Sequence, residues 1–192
     1  MEFAQSQTAR NLLKAFAGES QARNRYSFAA SVARAEGFEH VAAIFEETAA
    51  NERQHAKLFY KHLAMLAPAG LEITASYPVV TGDTAAQLKA AGDGEREEWS
   101  TLYVEFARVA REEGFDAAAR TFDWVAKAEK AHDARFGRLL DHVVNGTVFQ
   151  RGDKIYWRCR ECGYIHEGPA APKACPVCAH PQAFFEPVGE NF

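Results

Sequence analysis

Apolar side chains in the first 146 residues recur every three or four positions, the period of one face of an α-helix. The pattern predicts a short helix over residues 84–91 and long helices over residues 6–35, 40–67, 95–113 and 116–144. Gly37 and Gly114 follow the first and third long helices, where a glycine often ends a helix. Pro68 closes the second, and Gly92-Asp93-Gly94 predicts a break before the third.

The segment between the second long helix and the short helix reads as a long connection. Residues 68–82 hold two prolines, two glycines and several β-branched residues, a composition that disfavours another bundle helix. Two helix pairs joined by one long crossover have the ferritin-like arrangement, whereas a simple up-and-down bundle needs only short loops. We therefore expect a mainly α protein: a ferritin-like four-helix bundle with one long crossover, followed by a small C-terminal β module.

The two helix pairs look like one duplicated unit. Five residues of the first pair recur 77 positions later, as Gly37/Gly114, Phe45/Phe122, Glu52/Glu129, His55/His132 and Phe59/Phe136. A repeat of this kind indicates two structurally equivalent units. Glu19 matches Glu95 at an offset of 76, so one residue slips near the predicted break. Glu98 has only Ala22 as its counterpart, which predicts an asymmetric site.

Carboxylates and imidazoles lie on the apolar faces of these helices. In Glu52-x-x-His55 and Glu129-x-x-His132, residues three apart share one face, where a charge is costly unless something binds it. One Glu from each of two helices with a Glu-x-x-His from each of the other two is the known pattern of di-metal carboxylate bundles. The candidate ligands are Glu19, Glu52, His55, Glu95, Glu98, Glu129 and His132.

Two adjacent cations need bridging anions, which Glu52 and Glu129 could supply from opposite helices. The terminal ligands would be Glu19, Glu95, His132 and either Glu98 or His55. Oxygen and imidazole ligands suit iron or manganese, and iron makes redox chemistry possible. Taken singly, each Glu could be a solvated helix residue and each His a satisfied core residue. Six of these seven residues occupy matched positions of a repeat, and together the seven favour a metal site.

Two tyrosines share the inner faces with these residues. Tyr26 and Tyr103 could donate hydrogen bonds to ligand carboxylates, although an aromatic residue on such a face is often only part of the core.

The four cysteines form two knuckles, Cys159-x-x-Cys162 and Cys175-x-x-Cys178. Two such knuckles define a tetrahedral four-thiolate site, for which Zn and Fe compete. Val148-Phe149 and residues 155–157 predict short strands around a Gly-Asp turn. The expected domains are the helical bundle over residues 1–146 and the cysteine module over residues 147–192.

Charge and hydropathy narrow the classes of function. The net charge of −4 and pI near 6.0, without a long basic stripe, argue against nucleic-acid binding. No apolar run is long enough to span a membrane, and the start has no leader pattern, so we expect a cytoplasmic protein. In a reducing compartment, clustered cysteines more often bind metal than form disulfides.

Together these motifs resemble those of rubrerythrins, in which a ferritin-like di-iron bundle is fused to a rubredoxin-like domain. The resemblance spans nearly the whole chain and includes residues 17–26, Glu95-x-x-Glu98, both Glu-x-x-His pairs and residues 157–164. Tyr156-Trp157 and Cys175-Pro176 resemble rubredoxin and favour Fe in the cysteine site. Ala179 stands where rubredoxins usually have glycine, so an awkward backbone is expected there. The short loop between the knuckles suggests that the module leans on the bundle.

The resemblance implies a peroxidase that reduces hydrogen peroxide to water in oxidative-stress defence. It implies three Fe per chain, with Zn as a possible substitute, and electrons that pass through the Fe(Cys)4 centre to the di-iron site. The donor would be a rubredoxin or an NAD(P)H-dependent reductase, and the chain would form a homodimer. One iron would change partner between Glu98 and His55, so these residues and Tyr26 are the candidate catalytic residues.

Two other functions remain open from the sequence. A ferritin-like ferroxidase or iron-handling protein would use the cysteines as a structural zinc ribbon, although it needs no electron relay. A non-enzymatic metal or nucleic-acid binding module would use them as a zinc clip.

Overall fold

In the computed structural model, residues 2–189 are described. The helices are α1 Gln7–Ala35, α2 Glu39–Leu63, α3 Thr84–Glu97, α4 Tyr103–Glu112 and α5 Asp116–Val144. The strands are β1 Gln150–Cys159, β2 Ile165–Ala170 and β3 Phe185–Pro187. Helix α1 packs mainly on α2, and α3 and α4 pack mainly on α5. Residues 67–83 connect the two pairs without helix or strand, as the composition of this segment predicts.

The third long helix of the bundle is continuous. Helix α3, a π-helical segment over Glu98–Leu102 and α4 follow one another without a loop. The predicted break at residues 92–94 is therefore wrong. Asp83 caps the start of α3 by accepting a hydrogen bond from the backbone N–H of Ala86 (2.9 Å). Each glycine costs the helix only about 1 kcal/mol, which the burial of side chains such as Leu88 outweighs.

The π-helical segment explains the slip in the repeat. Glu95 precedes Gly114 by nineteen positions, whereas Glu19 precedes Gly37 by eighteen. A π-helix closes its hydrogen bonds over one more residue than an α-helix and so absorbs the extra residue without a loop. The slip thus lies within Glu98–Leu102 rather than at the glycines.

Two apolar clusters fill the bundle, one on each side of a layer of carboxylates. The first cluster includes Phe59, Tyr103 and Phe122, and the second includes Tyr26, Phe45 and Phe136. On α2, Glu52 lies between Phe45 and Phe59 along the helix. On α5, Glu129 lies between Phe122 and Phe136 in the same way. The carboxylates therefore occupy the middle of the bundle, where water has little access.

The C-terminal strands form one antiparallel sheet in the order β2-β1-β3. Residues 155–157 lie in β1 as predicted, but β1 also runs through the predicted Gly-Asp turn, with an irregular register between Gln150 and Ile155. Val148 and Phe149 are not in a strand, so that prediction is wrong. The Phe149 ring instead stacks on Phe38 at the start of α2 (6.1 Å between centroids), a contact that favours packing over strand pairing.

The sheet also contacts the bundle through a buried ion pair. Glu186 of β3 is 4% exposed and lies 2.9 Å from Nδ1 of His40 on α2. Arg158 and Arg160 donate to the same carboxylate. These contacts confirm that the module leans on the bundle. Within residues 2–189, no helix has both the length and the apolar character needed to cross a membrane.

Candidate metal centres

Six of the seven residues predicted as bundle ligands come together in two overlapping groups. Ligand atoms within each group lie within 4.8 Å of one another. The first group consists of Glu19, Glu52, His55 and Glu129. The second consists of Glu52, Glu95, Glu129 and His132. Glu52 and Glu129 belong to both groups. A carboxylate shared by two groups is placed to bridge two cations, as the duplicated Glu-x-x-His pattern predicts.

The two histidines are arranged almost symmetrically about the shared carboxylates. Nδ1 of His55 lies 2.8 Å from an oxygen of Glu52 and 2.8 Å from an oxygen of Glu129. Nδ1 of His132 lies 2.8 Å from the other oxygen of Glu129 and 3.2 Å from the other oxygen of Glu52. The imidazole rings face each other with centroids 5.9 Å apart. Each half of the repeat therefore supplies the same pair of groups to one central site.

Burial shows that these residues suit a cationic group. Glu19, Glu52, Glu95 and Glu129 are each at most 1% exposed, and each has at least one oxygen without a hydrogen bond among the described residues. Isolated buried carboxylates are costly, and cations offset that cost directly. The residues present therefore fit a pair of metal ions.

The pKa values of these carboxylates also favour a cationic group. Burial and neighbouring carboxylates raise the pKa of Glu19, and burial raises the pKa of Glu95 to about 8. Burial by itself would raise the pKa of Glu52, but hydrogen bonding with His132 and His55 lowers it to about 2. Protons thus take the place of cations in this arrangement, and metal binding is expected to release them.

Glu98 is the predicted ligand that stands apart. It belongs to neither group and instead lines a cavity of about 360 Å³ between α1, the crossover and the π-helical segment. Its Oε1 lies 3.9 Å from the position that a Cβ would take at Gly18, and the Tyr77 ring lies 3.7 Å from that position. His55 is therefore the residue beside Glu19 in this structure, with Glu98 turned toward the cavity.

Both tyrosines of the inner faces contact ligand candidates. The Tyr26 hydroxyl donates to Glu95, and the Tyr103 hydroxyl donates to Glu19. Burial raises the pKa of each hydroxyl well above its ordinary value, so both remain donors. The repeat relates the Tyr26–Glu95 pair to the Tyr103–Glu19 pair. Each tyrosine orients a carboxylate that belongs to only one of the two ligand groups.

Asp133 forms an unpredicted contact beside His132. It is 7% exposed and accepts hydrogen bonds from the indole N–H of Trp99 (3.0 Å) and from Arg96 (2.9 and 3.2 Å). Trp99 lies within the π-helical segment, directly after Glu98. Asp133 thus ties this segment to α5. No local sequence signal marks the contact, because the partners lie on different helices.

The four cysteines form a second candidate centre. Their sulfurs lie within 4.8 Å of one another, with Cys159 and Cys178 at 3.7 Å and Cys162 and Cys175 at 3.6 Å. All four are free thiols. A tetrahedron with metal–sulfur bonds of about 2.3 Å has edges of about 3.8 Å. The spacing therefore matches four thiolates around one ion.

The two knuckles have the same backbone geometry. The N–H of Gly163 donates to the carbonyl of Cys159, and the N–H of Ala179 donates to that of Cys175, each at 2.9 Å. Gly163 has φ of 79° and Ala179 has φ of 60°. The awkward backbone expected at Ala179 is confirmed, because this position needs the left-handed conformation that favours glycine.

Comparison with known families accounts for both centres at once. The family model for rubrerythrin matches residues 10–140, and the model for the rubredoxin-like domain of rubrerythrin matches residues 157–186. The chain belongs to the rubrerythrin family. It is 52% identical to a rubrerythrin of Porphyromonas gingivalis over 97% of this chain and 92% of that protein. It is 47% identical to one of Nitratidesulfovibrio vulgaris over 97% of both chains.

Solved structures agree with the rubrerythrin assignment. A fully reduced, all-ferrous nigerythrin superposes with a TM-score of 0.65 at 32% identity, covering 96% of this chain and 90% of that one. A bacterioferritin of Desulfovibrio desulfuricans superposes with a TM-score of 0.65 at 24% identity, covering 73% and 82%, which shows a shared fold. The predicted resemblance and fold class are confirmed. Family membership and the two candidate centres support iron binding and an oxidoreductase function in oxidative stress.

Proposed function

We propose that this rubrerythrin family member is a peroxidase that reduces hydrogen peroxide to water. The observation that carries the proposal is the presence, in one chain, of a bridged pair of ligand groups and a four-thiolate centre. Each turnover consumes one hydrogen peroxide, two electrons and two protons and yields two waters. Two iron ions in the bundle would supply electrons to the O–O bond, and the Fe(Cys)4 centre would replenish them one at a time.

The chain's own residues have distinct roles in this proposal. Glu52 and Glu129 would hold both ions, while Tyr26 and Tyr103 donate hydrogen bonds that orient the carboxylates of Glu95 and Glu19. The buried walls of the bundle exclude bulk water, so the carboxylates are shielded from solvent and would be available to the ions.

Glu98 and His55 are the proposed mobile pair. His55 now occupies the position beside Glu19, and Glu98 lies in the adjoining cavity, which residues of the crossover also line. An exchange of these two ligands would let the protein adjust to the charge of the site as electrons are used. The four-helix part over residues 1–146 and the module over residues 147–192 would act as the reducing site and the relay.

The remaining features belong to the same proposal. The electron donor would be a rubredoxin or an NAD(P)H-dependent reductase, and the protein would act as a cytoplasmic homodimer. Three Fe would be bound per chain: two by Glu19, Glu52, His55, Glu95, Glu98, Glu129 and His132, and one by Cys159, Cys162, Cys175 and Cys178. Zn in the cysteine site would leave the protein without its relay.

The test is steady-state turnover of hydrogen peroxide by iron-loaded protein with an artificial one-electron reductant. We expect many turnovers per chain and a clear loss of turnover in His55→Ala without loss of iron. A protein that accumulates iron and consumes little peroxide after one cycle would instead be a ferritin-type storage protein. A colourless protein with one Zn and no Fe would exclude the proposal.

A further inference from the structure

A basic cavity lies where the C-terminal module meets the bundle, and none of the candidate metal ligands lines it. It has a volume of about 210 Å³ and nine lining residues from α2, α5, the segment after α5, β1 and β3. Five of these residues carry basic side chains: His40, Arg135, Arg138, His142 and Arg151. No acidic side chain of residues 2–189 lines the cavity.

Nearby carboxylates compensate only part of this charge. Glu47 pairs with Arg135 (2.7 Å), and Glu186 pairs with His40 (2.9 Å). Asp141 lies close enough to act on His142. Arg138 forms no hydrogen bond or ion pair within the described chain, and Arg151 forms none with a carboxylate there. Among residues 2–189, two guanidinium groups at the cavity thus lack a counter-charge.

Arg151 is also held in place. Its Nη1 donates to the backbone carbonyls of Thr147 and Gln150 (2.7 Å to the latter), and its guanidinium carbon lies 5.4 Å from the Trp157 ring centroid. Burial lowers the pKa of Arg151, and burial together with Arg151 lowers that of His142, as expected in a positive environment. A fixed guanidinium loses little side-chain entropy when it binds an anion.

The remaining wall of the cavity is apolar. Ile44, Leu139, Val148 and Pro187 contribute to it. A site with an apolar wall and a few convergent charged groups suits a ligand that has both parts. Inorganic ions alone would leave this wall exposed to water.

From this arrangement we propose that the cavity binds a small organic oxyanion, whose phosphate or carboxylate meets Arg138 and Arg151 and whose short apolar part packs on Ile44 and Leu139. Guanidinium groups are well suited to such anions because they donate paired hydrogen bonds. Because the cavity is lined from both parts of the chain, a bound anion would hold the module against the bundle. The inference does not depend on peroxide reduction.

The test is isothermal titration of the iron-loaded full chain with phenyl phosphate, inorganic phosphate and benzyl alcohol. We expect saturable binding of phenyl phosphate, weaker binding of inorganic phosphate and none of benzyl alcohol. In Arg138→Gln, affinity for phenyl phosphate should fall about tenfold or more. Arg120→Gln is the matched control, since Arg120 is also an exposed arginine of α5, and its affinity should be unchanged.

Visible absorption separates this site from the metal centres, because phosphates can also bind iron. The spectrum of the iron centres should stay constant throughout the titration. The proposal is overturned if phenyl phosphate does not bind saturably, if Arg138→Gln binds as tightly as wild type, if benzyl alcohol binds equally well, or if the spectrum changes in step with binding.

Discussion

The contact between Asp133 and Trp99 gives a quantitative test of how the π-helical segment is held. Replacing Asp133 by Asn keeps the shape of the side chain but turns an amide N–H₂ toward either Trp99 or Arg96, both of which are donors. A half-buried indole N–H left without an acceptor costs about 1–2 kcal/mol. The Arg96 side chain is 61% exposed, so its ion pair adds only about 0.2–1 kcal/mol.

We therefore expect Asp133→Asn to lower the free energy of unfolding by about 2 kcal/mol. For a protein of this size, that corresponds to a fall in Tm of about 4–8 °C. The assay is urea unfolding followed by helical circular dichroism, at matched iron content because bound metal adds to stability. Asp141→Asn serves as the control, since Asp141 is an exposed residue of the same helix, and it should change stability by less than about 0.5 kcal/mol.

A double-mutant cycle with Trp99→Phe isolates the hydrogen bond itself. The two residues should be coupled by about 1 kcal/mol, because each single variant removes the same contact. Additive effects would refute the view that Asp133 fixes the π-helical segment through Trp99. Because Glu98 is the first residue of this segment, Asp133→Asn should also slow peroxide turnover while iron content stays constant.

Two further predictions concern the bridging carboxylate and the junction between bundle and module. Glu129→Ala should abolish iron binding in the bundle and leave the cysteine chromophore intact, as measured by metal analysis and visible absorption; two retained bundle irons would contradict this. The second prediction concerns Glu186. Burial by itself would raise the pKa of this carboxyl group, but hydrogen bonds with His40, Arg158 and Arg160 lower it from 4.5 to about 2. Glu186 therefore stabilises the fold above pH 4.5 and loses this effect as pH falls toward 2. The difference in the free energy of unfolding between wild type and Glu186→Gln should shrink as the pH falls across that range. A difference that stays constant would refute the lowered pKa of Glu186.

The candidate ligands of the bundle are predictable from the sequence because the repeat marks them. Any one inward Glu has a common alternative explanation, but Glu52-x-x-His55 and its copy 77 positions later share their apolar neighbours as well as their spacing. The cysteine knuckles were predictable for the same reason, since four identical ligands at fixed spacing define one geometry. Helical periodicity also gave the first, second and fourth long helices to within a few residues, whereas the third begins at Thr84 and not at Glu95.

Features that depend on contacts between distant segments were not predictable. The glycines near Gly92 looked like a break because local propensity favours one, yet packing against α5 keeps the helix continuous. Glu98 lines a cavity together with Gly18 of α1 and Tyr77 of the crossover, and local sequence does not reveal that these segments meet. Phe149 was assigned to a strand from its residue type, although its ring packs on Phe38 at the bundle.

In the proposed function, peroxide reduced at the bundle draws its electrons through the cysteine centre. The most direct measurement mixes fully reduced, iron-loaded protein with hydrogen peroxide under anaerobic conditions and follows the absorption of the Fe(Cys)4 chromophore. We predict that peroxide restores the oxidised chromophore in wild type and fails to do so at a comparable rate in Glu129→Ala. Equal reoxidation in both proteins, or wild-type protein that leaves the peroxide unconsumed, would contradict the account.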